Sequence, residues 1–268
     1  MPQALRVERI STLVGFTDLF TGLGKRRWFR GVGDHSFELL PGLYRHPRIF
    51  NPNQLIRREY LALKRFRHKS VIYIKNSAGL DNDLNMLFLM QHYGVPTRLL
   101  DWTENPFIAL FFALTLAKYK KSKSGGTTYS KDVAVWILDP IAWNAVQFHP
   151  SPGIISTPAD ELNGYEPTDK EIPERKKGIA AVYGVHNSRR IIAQSGVFML
   201  FGASNTPMET VYTKGDYPRD TLIKVLVSRG SINSLMGSLL EIGFGDSVVF
   251  PGLSGLSDEL KRIDGYWM

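Results

Sequence analysis

The chain has 268 residues, 43% hydrophobic and 22% charged, enough to bury a sizeable core in a single domain spanning residues 1–268. It contains no cysteine, which excludes disulfides, a thiolate nucleophile and thiolate metal sites. The formal net charge of +8 favours anionic partners and leaves nucleic acid open as one, yet part of the excess lies in short clusters such as GKRRWFR and KYKKSKS, which serve equally as solvated faces.

Residues 1–16, MPQALRVERISTLVGF, lack the positive-then-apolar order of a secretory signal, so a cytoplasmic location is expected, and the cysteine-free composition suits a bacterial or phage source. GKRRWFRGVG alternates and carries aromatics ahead of its glycines, which predicts a strand over Arg27–Gly31 with Arg30 at its end and a close backbone approach at Gly31. From Asn53 as cap, NQLIRREYLALKRFRHK places Leu55, Ile56, Tyr60, Leu63 and Phe66 on one helical face. DNDLNMLFLMQHYG predicts a second helix, capped by Asp81 or Asp83 and ended by Gly94, with His92 in its last turn. Pro96 keeps Val95 out of helical geometry, so VPTRLLDW reads as an extended or looped connector. A third helix is predicted after a capping Thr103, running through the apolar stretch 106–117; at 12 residues that stretch is too short to span a bilayer, and no membrane partner is expected.

KKSKSGGTTYSKD predicts a flexible surface loop, and VAVWILDP a strand over Val133–Leu138. Residues 147–175 hold five prolines without a clean period, which reads as a surface excursion or lid. RRIIAQSGVFMLFG predicts two short strands, Ile191–Ala193 and Val197–Leu200, about a turn at Gln194–Gly196. DTLIKVLVS adds a strand with Ile223, Val225 and Val227 on one side, SINSLMGSLLEIGF a helix ending at Gly243, and the remainder a turn and a last helix. Helices around several non-consecutive strands make an α+β fold.

The segment MQHYGVPTRLLDWTENP crowds hydrogen-bonding residues against a core helix. Arg30 and Arg98 carry planar guanidinium groups suited to phosphate or carboxylate, or to structural ion pairs; Arg98 and Asp101 are near enough in sequence to pair with each other in a buried bridge. His92 either favours the helix dipole or serves as an acid or base. Trp102 is a core side chain or an aromatic platform, and the helix that Thr103 opens offers an anion cradle. Gln91 and Gln194 supply neutral amides for a ligand edge or for buried backbone. The six histidines show no metal-ligand spacing and GLGKRR is not a phosphate loop, so no metal is expected.

In order along the chain, WFRG, LLPGLYR, EYLALKRF, QHYGVPTRLLDWTENPFIALFFA, RIIAQSGVF and LLEIGFGDSVVFPGLSGL together resemble the FRG domain family, over about residues 28–262. More distantly, an arginine and glycine on an early strand, then a threonine just before an A..FA helix, are similar to ADP-ribosyltransferases of the Arg-Ser-Glu type. That similarity implies helices around a split, mostly antiparallel sheet. It also implies NAD as substrate or ligand, and NAD glycohydrolysis or ADP-ribosyl transfer to a macromolecular acceptor. Carried onto this chain, it matches Arg30 with Gly31, and Thr103; together with the crowded polar residues, the candidate site takes Arg30, Thr103, His92 and Gln194 as catalytic, with Gly31, Gln91, Thr97, Arg98, Asp101, Trp102 and Arg190 binding the ligand. SRRIIAQSGVF has no carboxylate where those enzymes place a late glutamate, so Glu104, Glu166 and Glu209 stand as candidate acids. A non-catalytic ligand-sensing or interaction module, and a nucleic-acid-binding protein, are the alternative readings.

Overall fold

The apolar run Val133–Leu138 forms a strand buried at every position, as expected for a segment covered on both faces. In the computed structural model, which describes residues 4–24, 26–74, 82–121, 127–148, 150–151, 153–157, 159–167, 178–184 and 192–266, this is strand β6. The other strands are β1 (Arg6–Ile10), β2 (Trp28–Val32), β3 (Leu99–Thr103), β4 (Tyr119–Lys121), β5 (Thr127–Tyr129), β7 (Ile155–Ser156), β8 (Ile179–Tyr183), β9 (Gly196–Phe201) and β10 (Leu222–Val227). The described helices are α1 (Leu13–Thr21), α2 (Pro52–Ser70), α3 (Asp83–His92), α4 (Pro106–Thr115), α5 (Pro140–Gln147), α6 (Met208–Lys214), α7 (Ile232–Glu241), α8 (Asp246–Val249) and α9 (Leu253–Ile263).

Eight strands form one sheet in the order β1-β10-β6-β2-β3-β9-β8-β7, antiparallel except where β1 meets β10 and β7 meets β8. The fold is α+β, with a largely antiparallel mixed sheet. β2 pairs with β6 from Trp28 to Val32, and β3 pairs with β9 from Leu99 to Thr103. Between β2 and β3, Phe29 opposite Thr103 is the one register pair among the described residues. Continued, the ladder would bring Arg30 opposite Trp102 and Gly31 opposite Asp101, but there the strands part, and the sheet forks.

Apolar side chains on one sheet face, including Trp28, Trp102 and Trp136, pack with Leu43, Trp143 and Tyr212 in a continuous core. The opposite face carries two cores. One packs Phe29, Ile137 and Val225 against α1, α4 and α7; the other packs Leu99, Phe198 and Leu200 against α2 and α3. A Cβ on Gly31 would lie 1.9 Å from the Ala109 carbonyl oxygen and one on Gly33 2.1 Å from that of Leu116, so only glycine lets α4 lie directly on β2.

Several local expectations change. Arg30 lies within β2, which runs one residue beyond Gly31, rather than at its end. The connector after Pro96 becomes the central strand β3, and α4 stops at Thr115. Each of the three helix starts is capped by asparagine: Asn51 in place of Asn53, Asn82 in place of Asp81 or Asp83, and Asn105 in place of Thr103. Asn82 and Asn105 each accept from two first-turn amides, which satisfies donors that the helix itself leaves open. The predicted loop near residue 120 is bracketed by a β4–β5 hairpin, because Tyr119–Lys121 pairs in register with Thr127–Tyr129. The strand predicted over Ile191–Ala193 is helical at Ile192 and Ala193, while Ile191 lies outside the described residues. Part of the proline-rich 147–175 segment also lies outside them.

Candidate functional site

Because α4 sits over one branch of the fork and α3 over the other, a cleft of about 260 Å³ opens between them. Its floor is Phe29–Gly31 on β2 and Asp101–Thr103 on β3. Ala109 and Phe112 on α4 and Leu116 at its C-terminal cap, spaced three and four residues apart, make one wall, and Phe88, Gln91 and His92 on α3 make the other. Gln194, Gly196 and Phe198 close one end. Eight predicted residues therefore meet here: Arg30, Gly31, Gln91, His92, Asp101, Trp102, Thr103 and Gln194.

The polar groups are held in a defined order. Thr97 donates its hydroxyl to Gln91 Oε1 at 2.8 Å, and Gln91 Nε2 donates to the Asp101 carboxylate at 2.7 Å, which fixes the orientation of the amide. The Arg30 guanidinium donates to the Asp101 backbone carbonyl, taking the role of the strand partner that the fork removes. Burial lowers the Arg30 pKa, with the Asp101 charge opposing the shift and Arg45 adding to it. Thr103 donates to the Gln194 carbonyl at 2.6 Å and accepts from Asn105 N at 3.0 Å, while the Glu104 amide donates to the Ser195 carbonyl at 3.1 Å. This latch holds the turn at the cleft end, where Ser195 adopts φ 45°, uncommon for a residue with a side chain.

Some predicted residues fall elsewhere. The buried bridge expected between Arg98 and Asp101 is instead formed by Arg98 and Glu59 on α2, at 2.8 Å with both side chains fully buried. Asp101 is exposed and borders the cleft, whereas Arg98 and Thr97 are buried behind it, Thr97 acting through Gln91. Arg190 lies outside the described residues. The first amides of α4 donate to Asn105 rather than standing open as an anion cradle. Of the candidate acids, Glu104 accepts from the Tyr183 hydroxyl at 3.0 Å beyond the rim, and Glu166 accepts from Gly164 N at 2.7 Å in another depression. Glu209 accepts from the Leu39 amide on the far face of the sheet, and burial raises its pKa. Among the described residues, the carboxylate that lines the cleft is Asp101.

Residues 25–123 match the FRG domain family. The chain carries an FRG domain. Every cleft-lining residue except Gln194, Gly196 and Phe198 falls within that matched segment, so the cleft is largely built by the FRG domain itself. The motifs RIIAQSGVF and LLEIGFGDSVVFPGLSGL lie beyond the match. No curated protein and no solved structure matches the chain. Among the described residues, no group of three or more His, Asp or Glu side chains is placed to hold a metal, and no helix is long and apolar enough to cross a membrane.

Proposed function

We propose that the FRG-domain cleft binds a nucleotide-like ligand, NAD in the first instance, and cleaves its bond between nicotinamide and ribose. ADP-ribose then passes to water or to a macromolecular acceptor. The observation that carries this reading is that Arg30, whose guanidinium donates to the Asp101 backbone carbonyl, and Asp101, whose carboxylate accepts from Gln91, line the same cleft at a fork in the sheet, walled by aromatic rings. A strand arginine followed by a threonine beside an apolar helix, the layout of Arg-Ser-Glu transferases, supports the choice of NAD.

When the glycosidic bond breaks, nicotinamide leaves as a neutral molecule with the bonding electron pair, and the ribose carries positive charge at C1′ and its ring oxygen. The Asp101 carboxylate is the cleft group suited to stabilise that charge, and Gln91 holds it in place. Water or the acceptor then attacks C1′ and gives up a proton, for which His92 is the lining base. The remaining Arg30 N–H groups suit a phosphate oxygen. A volume of about 260 Å³ is near the lower end of ligand pockets, roughly 300–1,000 Å³, so it accommodates the base and its ribose while the rest of NAD follows the open rim.

The test is release of free nicotinamide from NAD by the purified protein over hours. Asp101→Asn is expected to lower the rate by about a hundredfold or more while NAD still binds in a calorimeter, and Arg30→Ala is expected to weaken binding. Equal release by the parent and both variants would overturn the assignment. A sensing role is the second reading, favoured by Gln194, whose amide donates to the Val249 carbonyl at 3.0 Å where a catalytic acid would otherwise stand. NAD binding without any release by the parent would select it.

A further inference from the structure

We infer that the exposed face of α2 is a docking surface for single-stranded nucleic acid, separate from the cleft. Pro52–Ser70 holds six Lys and Arg residues against one Glu, so this helix supplies most of the chain's excess positive charge. That acid, Glu59, is 1% exposed and bound to Arg98, and so leaves the surface unneutralised. Arg67 pairs with Asp83 at 2.7 Å. Arg57, Arg58, Arg65 and Lys69 are exposed and have no ion-pair partner among the described residues.

Geometry favours a strand-like polyanion. Positions 57 and 69 are twelve residues apart, which on a straight helix is roughly 18 Å, matching several consecutive phosphates of one strand. Phe50, just before the helix, and Tyr73, just after it, are 74% and 78% exposed, and their flat rings suit stacking by unpaired bases. A lipid surface fits less well. A helix lying in a membrane needs an apolar stripe along its length beside its cations, and here Leu55, Ile56 and Leu63 are already buried in the protein, leaving Leu61 as the exposed large apolar side chain within α2, with the exposed Val71 and Ile72 past its end.

The experiment is fluorescence anisotropy with a labelled strand of about twenty thymidines. Neutralisation of four phosphates predicts a loss of about fiftyfold in affinity between roughly 50 and 200 mM salt. The variant carrying Arg57→Gln, Arg58→Gln, Arg65→Gln and Lys69→Gln is expected to bind at least about tenfold more weakly at the lower salt and to lose most of the salt dependence. Arg57→Gln with Arg58→Gln alone should fall between, and matching thermal melts confirm intact folding. A control with Lys118, Lys120, Lys214 and Arg219 changed to Gln carries the same net charge and is expected to stay within about twofold of the parent. Equal losses in control and α2 variant, no binding by the parent, tighter binding to a duplex, or capture by phosphatidylserine vesicles in preference to the strand would each overturn the inference. Because the cleft is untouched, nicotinamide release is unaffected by these substitutions, which keeps this result independent of the cleft assignment.

Discussion

Asp34 shows how one side chain couples the fold to pH. Burial works against its ionisation, but the hydrogen bonds from Lys131, at 2.6 Å, and from the Ser36 hydroxyl and amide outweigh it and hold the carboxyl far below the ordinary carboxylate range. A depressed folded pKa means that the unfolded chain binds the proton more tightly. The stabilisation is therefore complete above the unfolded value, about 3.9, and is lost as pH falls from there toward the folded value. Asp34→Asn should lower the urea midpoint at about pH 6 and flatten its decline toward about pH 3. Parallel decline in parent and variant would place acid sensitivity elsewhere. Arg98 carries a different lesson at the same scale. Its partner Glu59 lies 39 residues away and also accepts the Arg98 amide at 2.8 Å, so a sequence reading that looked to the nearest carboxylate, Asp101, named the wrong pair. With Arg98 withdrawn behind the cleft, Asp101 is left on its floor.

Helix α4 depends on two contacts at the level of the element. Asn105 caps it, and Gly31 lets its backbone rest on β2. Gly31→Ala would drive a methyl group into the Ala109 carbonyl, 1.9 Å from the new Cβ, and is expected to cost about 3 kcal/mol in denaturant unfolding. Gly237→Ala, within α7, meets nothing within 4 Å and is expected to stabilise by about 0.5–1 kcal/mol. If the two substitutions had similar effects, the packing account of Gly31 would fail. Much of this architecture was legible in the sequence. Val133–Leu138 was readable because its apolar run is bounded by Asp139 and Pro140, and Arg30, Gln91, His92 and Thr103 stood out as polar residues beside apolar segments. Phe29, Phe88, Ala109, Phe112 and Phe198 were not readable as lining, because an apolar side chain becomes a wall only when two helices stand apart over a fork. The caps were missed for a smaller reason: an asparagine stood within two residues of each residue chosen, and propensity alone does not separate such neighbours.

For the molecule as a whole, the FRG match is shorter than the structure its strands require. β2 and β3 lie within residues 25–123, yet their partners β6 and β9 lie outside. A fragment of residues 25–123 would expose strand edges and the apolar faces of α3 and α4, and is expected to be unfolded by circular dichroism and one-dimensional NMR, where the full chain is folded. A cooperative melt of that fragment would refute this.

The place of β10, between β1 and β6, has a consequence during synthesis. β1 is synthesised long before its sheet neighbour, Leu222–Val227. The nascent chain must carry β6, Val133 to Leu138, with one edge open while roughly ninety further residues are translated, about 5–20 s at ordinary rates. Until then an all-apolar strand is available to neighbouring chains, so expression at lower temperature or with chaperones that hold unfinished chains should raise the soluble yield.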